Sequence, residues 1–490
     1  MLEKFLDNYI DNLYNKSNIN MELEQRDLYT KEDYYNLLKE VVVLIKENKD
    51  LTLEELRKKL YENSKIEENL KEVVFKKEMV PGLVLTFATK HYKETIVIGN
   101  RQEVTLDDKF NLVPSVKNMT YDTIFDLASI TKIYTSLSIF KLVELGLITL
   151  STEVTKIDSR FKNLSGVTVF DLLTFRVPLI TNVRIDELKD PIKAKELLFD
   201  IKINENFNKN LNPYSDMQAM VLKYIIEKIS GKTYYQFLDE TILKPLGLVD
   251  TSNIVPSYKL DRTASTLGSV KYYKDGSFTV EKETTLGIIH DKKARIMQQD
   301  EDLAGHAGLF STANDMSKLA RSIINKEVIT EANLIEMVKN RTGRSYLDEG
   351  KVKYVQYLGS LCYSKHPHLD NSELFHAMSG LSFASAGFTG GQFTVDPLNE
   401  IYFFLGTNRV HNRLTYLDKE KQEEINGCLN GRKFINIGGQ EIIDSRNFAY
   451  MRDPYIVRIV LSLALKYKML EDFYKLTNEK IIYEESIKTI

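Results

Sequence analysis

Cysteine is scarce in this chain: Cys362 and Cys428 are the two in 490 residues. Two thiols cannot build a disulfide framework or a four-thiolate zinc site, so both read as reduced. An excess of charge of one sign is also lacking. The 66 basic and 69 acidic residues leave a formal net charge of -3, which gives no electrostatic footprint for nucleic acid or an anionic membrane. Long apolar runs are missing too. Glu3, Asp7 and Asp11 interrupt the N-terminal stretch, so it holds no unbroken apolar core of about 7–15 residues such as a secretory signal needs. No stretch approaches the ~20 apolar residues of a membrane span. The most apolar helix candidate, Ile456 to Leu465, contains Arg458 and is followed by Lys466 and Lys468. The expectation is a soluble protein with no membrane span. It starts in the cytoplasm, and is extracytoplasmic only if a leader is missing from the sequence. No Asp/His cluster has metal-ligand spacing and no repeat has a fixed period, so neither a metal, a cofactor nor a solenoid is expected.

What is present points to a folded chain. Hydrophobic residues make up 43% and charged residues 28%, a balance that excludes a disordered or low-complexity polymer. Residues 1–75 are rich in Glu, Lys, Leu and Tyr, with Asp33 to Ile45 near helical spacing and Thr52 and Glu55 placed as a capping box. They are expected to form a helical N-terminal extension with a packing or partner role, ahead of a main domain over 76–490. At Val80-Pro81-Gly82 the texture changes. Leu83 to Phe87 and Thr95 to Ile98 read as strands, and so do Gln392 to Val395 and Ile401 to Leu405. Between them, from about 126 to 320, the patterns are mostly helical, with Ile130 to Leu145 and Met217 to Ile229 the clearest. A long apolar helix is expected around Tyr455 to Tyr474. Strands from both ends of the chain closing one sheet, with a helical subdomain inserted between them, fit this order.

Three segments carry residues suited to chemistry. Ser129 and Lys132 stand three apart, which places hydroxyl and ammonium on one helical face. A serine hydroxyl is a weak nucleophile until a base takes its proton, and a helix start offers a dipole and N–H groups to a developing oxyanion. Taken alone, Ser129 reads first as an ordinary helix cap, and Ser159 with Lys162 repeats the spacing in a polar stretch. Context favours Ser129, because the helix after it is strongly apolar. In Asn212-Pro213-Tyr214-Ser215-Asp216, Tyr214 has the chemistry of a general base beside ammonium groups. Alternatively Asp216 caps the next helix and Tyr214 packs. In Ala384 to Gly391 the glycines let a backbone approach a ligand, or a small-residue strand packs against a helix.

In their order these segments resemble the serine β-lactamase and penicillin-binding-protein superfamily, in its class C-like branch with esterases and D-amino-acid peptidases. Val80-Pro81-Gly82, Leu145 to Leu150, Val167 to Thr174, Lys244 to Leu248, Gly305 to Ala313, Gly387 to Gly390 and Thr407 to His411 are similar to segments of that superfamily. The resemblance spans about 80–412. It implies an α+β, β-lactamase/DD-peptidase-like fold, an antiparallel sheet flanked by helices plus a helical subdomain. It also implies site roles. Ser129 would be acylated, Lys132 would share or relay its proton, and Tyr214 would activate Ser129 and later the deacylating water. Asp216 stands where Asn is usual, orienting substrate and lysine and favouring the ammonium form of Lys132. Ser385, Gly387 and Phe388 would line the substrate, with the N–H groups of Ser129 and Phe388 as the oxyanion hole.

The sequence departs from that pattern in two places. Ser385 takes the position of a Lys or His and supplies no charge, and Phe175-Arg176-Val177-Pro178 replaces a His-Thr-Ser-Gly run. Both changes weaken the case for binding carboxylate-bearing antibiotics. A serine hydrolase acting on a small-molecule or peptide-like acyl substrate, with esterase or peptidase-like activity ahead of β-lactam hydrolysis, is the expected function. The alternative is a catalytically weak or inactive member serving as a scaffold, with 1–75 and the stretch 425–446 as partner surfaces. The histidines are expected in loop or core hydrogen bonds. His366 and His368 read as a loop pair, and His376 is the one that could move into the place left by Ser385.

Overall fold

A computed structural model describes residues 2–19, 31–300, 303–366, 373–418, 434–437, 440–448 and 452–488. Cys428, His368 and most of the stretch 425–446 lie outside the described residues or bear no described side chain.

The centre is a seven-stranded sheet. Its strands are β1 (Gly82–Ala88), β2 (Lys93–Leu106), β3 (Leu112–Asn118), β4 (Tyr363–Ser364), β5 (Phe383–Ala386), β6 (Gln392–Asp396) and β7 (Ile401–Thr407). They lie in the order β4-β5-β6-β7-β1-β2-β3, and every adjacent pair is antiparallel. The two ends of the chain therefore meet at β1 and β7, where Leu85 faces Leu405.

Strand residues alternate between faces, and β1 shows the consequence. Leu83, Leu85 and Phe87 enter one core, shared with Phe403 and Leu405. Val84 and Ala88 enter the other, shared with Phe393, Val395 and Phe404. Both faces are covered, which is why these strands read as continuous apolar runs.

On the first face lie α1 (Leu2–Asn18), α2 (Lys31–Glu47), α3 (Leu53–Ser64) and the C-terminal helix Arg458–Lys488. The N-terminal helices are thus part of a shared core. Tyr9 donates to Asp472 at 2.8 Å, Arg57 to Glu471 at 2.7 Å, and Lys16 Nζ to the Leu398 carbonyl at 3.1 Å. Gly380 permits the α1 end to dock: its N–H donates to Lys16 O at 2.7 Å, and a Cβ there would stand 1.5 Å from Ile19 O. The capping box at Thr52 and Glu55 forms as the sequence suggests.

The other face carries the helical subdomain. Its central helix, α4 (Thr131–Glu144), buries eleven residues from Thr131 to Leu142, a helix covered on nearly every side because it runs through the interior. Beside it packs α5 (Met217–Ser230). The 126–320 region is not purely helical. Val270–Tyr272 and Phe278–Val280 join Arg413–Leu417, Phe434–Ile437 and Gln440–Asp444 in a second, five-stranded sheet. Strands of three residues are too short to show a period in sequence. Cys362 is buried, and burial pushes its thiol up to about 12, in keeping with an unreactive thiol. Among the described residues no helix is long and apolar enough to cross a membrane.

Candidate active site

The chain reaches α4 through a constrained turn. Phe125–Asp126 pairs with Phe310–Ser311, and Leu127 N–H donates to Leu309 O at 2.9 Å. Ala128 then adopts φ 45°, a left-handed conformation that costs an alanine on the order of 1–2 kcal/mol. Asp126 holds it there: Oδ1 accepts the Ala128 N–H at 2.9 Å and Oδ2 accepts the His290 N–H at 2.8 Å. Burial pushes the Asp126 carboxyl up to about 6, against the pull of those two donors. The turn leaves Ser129 partly exposed at the foot of α4, with Lys132 wholly buried one turn above it.

Lys132 Nζ has three acceptors: Ser129 Oγ at 2.9 Å, Asp216 Oδ1 at 2.8 Å and the His306 carbonyl at 3.1 Å. An ammonium carries three protons, and all three are engaged. Burial disfavours that charge, but Asp216 and then Tyr214 outweigh it and raise the Lys132 pKa. Ser129 makes no side-chain cap, since the helix N-cap falls at Ile130.

Asp216 stands at the N-cap position of α5 but does not cap it with its side chain. Its side chain makes no cap hydrogen bond, and Ser215 Oγ accepts the Met217 N–H at 3.2 Å instead. The Asp216 carboxylate bridges two ammonium groups, Lys132 and Lys293, the second at 3.0 Å from Oδ2. Burial would raise its pKa, but Lys132, His306 and Lys293 hold it well below the usual carboxylate range. Tyr214 does pack, between Phe175 (centroids 5.2 Å apart) and Tyr363 (5.9 Å), with all three rings near parallel. Its ring centroid is 5.0 Å from Lys132 Nζ.

The third segment is fastened to the Ser129 turn. Ser385 Oγ lies 3.4 Å from the Ser129 carbonyl, and Thr389 Oγ1 donates to Asp126 O at 2.8 Å. Gly387 passes so close to Leu127 that a Cβ would stand 2.7 Å from its carbonyl oxygen. Among the described residues, the Phe388 N–H is taken by no backbone carbonyl of the surrounding turns and loops. Phe388 is 49% exposed. His290 braces its ring at 5.7 Å between centroids and the Arg409 guanidinium at 4.7 Å, while Arg409 Nε donates to Phe388 O at 3.0 Å.

Sequence reasoning missed Lys293 and Asp291. His306 Nε2 meets Asp291 Oδ1 at 3.0 Å, the core bond expected of it, and Lys293 lies 3.5 Å from Asp291 Oδ2. The ligand-type atoms of Asp216, Asp291 and His306 gather within 4.8 Å, but Lys132 and Lys293 already supply cations to both carboxylates. His376 is not at this cluster. Its ring lies tilted against Phe375, with centroids 4.2 Å apart, and its charged neighbours include Asp33, Lys365 and Arg458. His366 packs on Tyr354 and Tyr357.

The profile of the Beta-lactamase family matches residues 90–425. A Salmonella typhi protein, named as a candidate D-alanyl-D-alanine carboxypeptidase, is 26% identical over 317 residues, covering 60% of this chain and 71% of the relative. The Bacillus subtilis N-acetylmuramyl-L-alanine amidase is 25% identical over 333 residues, 62% and 71% of the two chains. Among solved structures, EstCE1, described as a hydrolase with promiscuous acyltransferase activity, shares the fold with a TM-score of 0.53 at 15% identity, over 83% of this chain and 99% of its own.

Proposed function

Because the chain belongs to the Beta-lactamase family, we propose that it is a serine hydrolase cleaving an ester or amide through an acyl-enzyme on Ser129. The observation that carries this reading is the 2.9 Å hydrogen bond from the buried Lys132 ammonium to the accessible Ser129 hydroxyl. With three engaged protons, Lys132 is no base in this state, so Tyr214, its own phenolic proton first given up to solvent, takes the Ser129 proton on its phenolate oxygen. The serine oxygen bonds to the carbonyl carbon, and the carbonyl electron pair moves to oxygen, which sits between the N–H groups of Ser129 and Phe388. Tyr214 returns the proton to the leaving group as its bond to carbon breaks. Water then repeats the sequence on the ester of Ser129, giving up its proton to Tyr214 and releasing the acid. The Lys132 ammonium, 5.0 Å from the Tyr214 ring centroid, stabilises the phenolate before each proton is taken.

Substrate choice follows from the residues of the strand and turn beside Ser129. Ser385 supplies no cation for a substrate carboxylate, and Phe388 offers an exposed aromatic ring. Both favour esterase or peptidase-like hydrolysis of a neutral acyl group over efficient β-lactam hydrolysis. The names of the relatives, a carboxypeptidase, an amidase and a hydrolase with acyltransferase activity, support acyl transfer as the reaction type. The test is covalent labelling with a fluorophosphonate together with p-nitrophenyl acetate turnover. Wild type is expected to label and turn over, Ser129→Ala to do neither, and Tyr214→Phe to be strongly slowed. A folded wild type that neither labels nor turns over would overturn the proposal in favour of a binding or scaffolding role.

A further inference from the structure

We infer that Lys293 is a positioning residue of this acyl-transfer site, a counter-cation that fixes the Asp216 carboxylate between two ammonium groups and so keeps Lys132 directed at Ser129. The inference rests on the reading above and names a residue that neither motif spacing nor sequence context marks.

The geometry is a closed ring. Lys132 Nζ meets Asp216 Oδ1 at 2.8 Å, and Asp216 Oδ2 meets Lys293 Nζ at 3.0 Å. Lys293 also lies 3.5 Å from Asp291 Oδ2, and Asp291 Oδ1 meets His306 Nε2 at 3.0 Å. The His306 carbonyl accepts from Lys132 at 3.1 Å, which closes the circuit. The charged and titratable groups facing Asp216 come from each element packed around it: Lys132 from α4, Asp291 and Lys293 from the start of the helix Lys292–Met297, and His306 from the loop beyond. Asp186 is a further charged neighbour of Lys293.

With Lys293 present, two ammonium groups face two carboxylates. Without it, Asp216 Oδ2 loses its partner and Lys132 is the one ammonium left beside the two acids, with His306 remaining on Asp291. A partly buried carboxylate with one remaining cation draws that cation harder. Lys132 is then pulled from Ser129 Oγ towards Asp216. Its proton is also held more tightly, because the repulsion of a neighbouring positive charge is gone. An amide at position 216 needs no second cation, so the role of Lys293 exists only while position 216 is acidic.

The experiment measures p-nitrophenyl acetate turnover against pH, and the rate of fluorophosphonate labelling, for wild type, Lys293→Met, Lys293→Arg, Asp216→Asn and the double variant Asp216→Asn with Lys293→Met. Lys293→Met is expected to lower kcat by about 10-fold with KM changed less than about 2-fold, and to move the pH limb that reports Lys132 to higher pH. Lys293→Arg is expected to stay within about 3-fold of wild type. Losing Lys293 is expected to cost less than about 2-fold in the Asp216→Asn background. That last comparison stands even if Lys293→Met alone does not fold. Wild-type kcat and an unmoved profile in Lys293→Met would overturn the inference, as would a full 10-fold loss when Lys293→Met is added to Asp216→Asn. A wild type that neither labels nor turns over would instead overturn the proposed function itself. A labelled wild type with an indifferent Lys293→Met rejects the role of Lys293 alone.

Discussion

Gly387 and Leu127 touch through their backbones: a side chain on the first would stand 2.7 Å from the carbonyl oxygen of the second. The close approach lets Ser385 and Thr389 reach the turn that presents Ser129. Gly387→Ala is therefore expected to push strand and turn apart. Overpacking of this kind costs about 1–3 kcal/mol. The denaturant midpoint should fall accordingly, and fluorophosphonate labelling of Ser129 should slow by more than the stability loss explains. An unchanged labelling rate would refute the coupling of strand and turn.

Lys132 is the wholly buried centre of the site. Lys132→Met is expected to remove the charge that supports Tyr214 and to slow acylation by at least about 10²-fold, the scale of losing one preorganised donor. Asp216 keeps Lys293 as partner in that variant, so the protein is expected to fold. Labelling kinetics alongside circular dichroism check both halves.

Phe388 presents a ring to solvent, braced by His290 and Arg409. Phe388→Ala is expected to lower kcat/KM for butyrate and benzoate p-nitrophenyl esters by about 10-fold, and that for acetate by less than about 3-fold, because one or two lost apolar contacts are worth that much. An ester series read at fixed pH decides it. Equal losses across the series would remove Phe388 from substrate choice.

Lys365 is buried where α1 docks, donating to Ser17 O and Met378 O at 2.8 Å each. Burial lowers its pKa to about 7, below its unfolded value of ~10.4. Between those values the unfolded chain binds more protons than the folded one. Stability therefore rises as pH climbs from about 7 towards 10, with a limiting slope of ~1.4 kcal/mol per pH unit. Thermal unfolding at pH 7 to 9 should show this rise in wild type and a flatter response in Lys365→Met. Identical slopes would place the titration elsewhere.

What the sequence discloses follows the range of each interaction. Leu83 to Phe87 and Ile401 to Leu405 were legible as strands, since a sheet covered on both faces needs apolar residues at every position. Ser129 and Lys132 were legible as a pair, since three residues on a helix make neighbours whatever the rest of the chain does. Lys293 was not. It is one lysine in a polar run, and only the folded chain brings it to Asp216. The same distance misled the reading of Asp216 as a possible cap, because local pattern cannot show that Ser215 serves the helix while two remote lysines hold the carboxylate. The second sheet escaped notice because Val270–Tyr272 and Phe278–Val280 are too short to display alternation.

The pairing of β1 with β7 also dictates when the protein can be finished. Leu85 waits for Leu405, so a nascent chain emerging from the ribosome holds β1 paired with β2 alone, its other edge open, through most of its synthesis. Contacts this remote in sequence form slowly and leave sticky edges exposed meanwhile. Truncation anywhere before residue 407 is accordingly expected to yield aggregates that depend on chaperones, with no partial enzyme among the products.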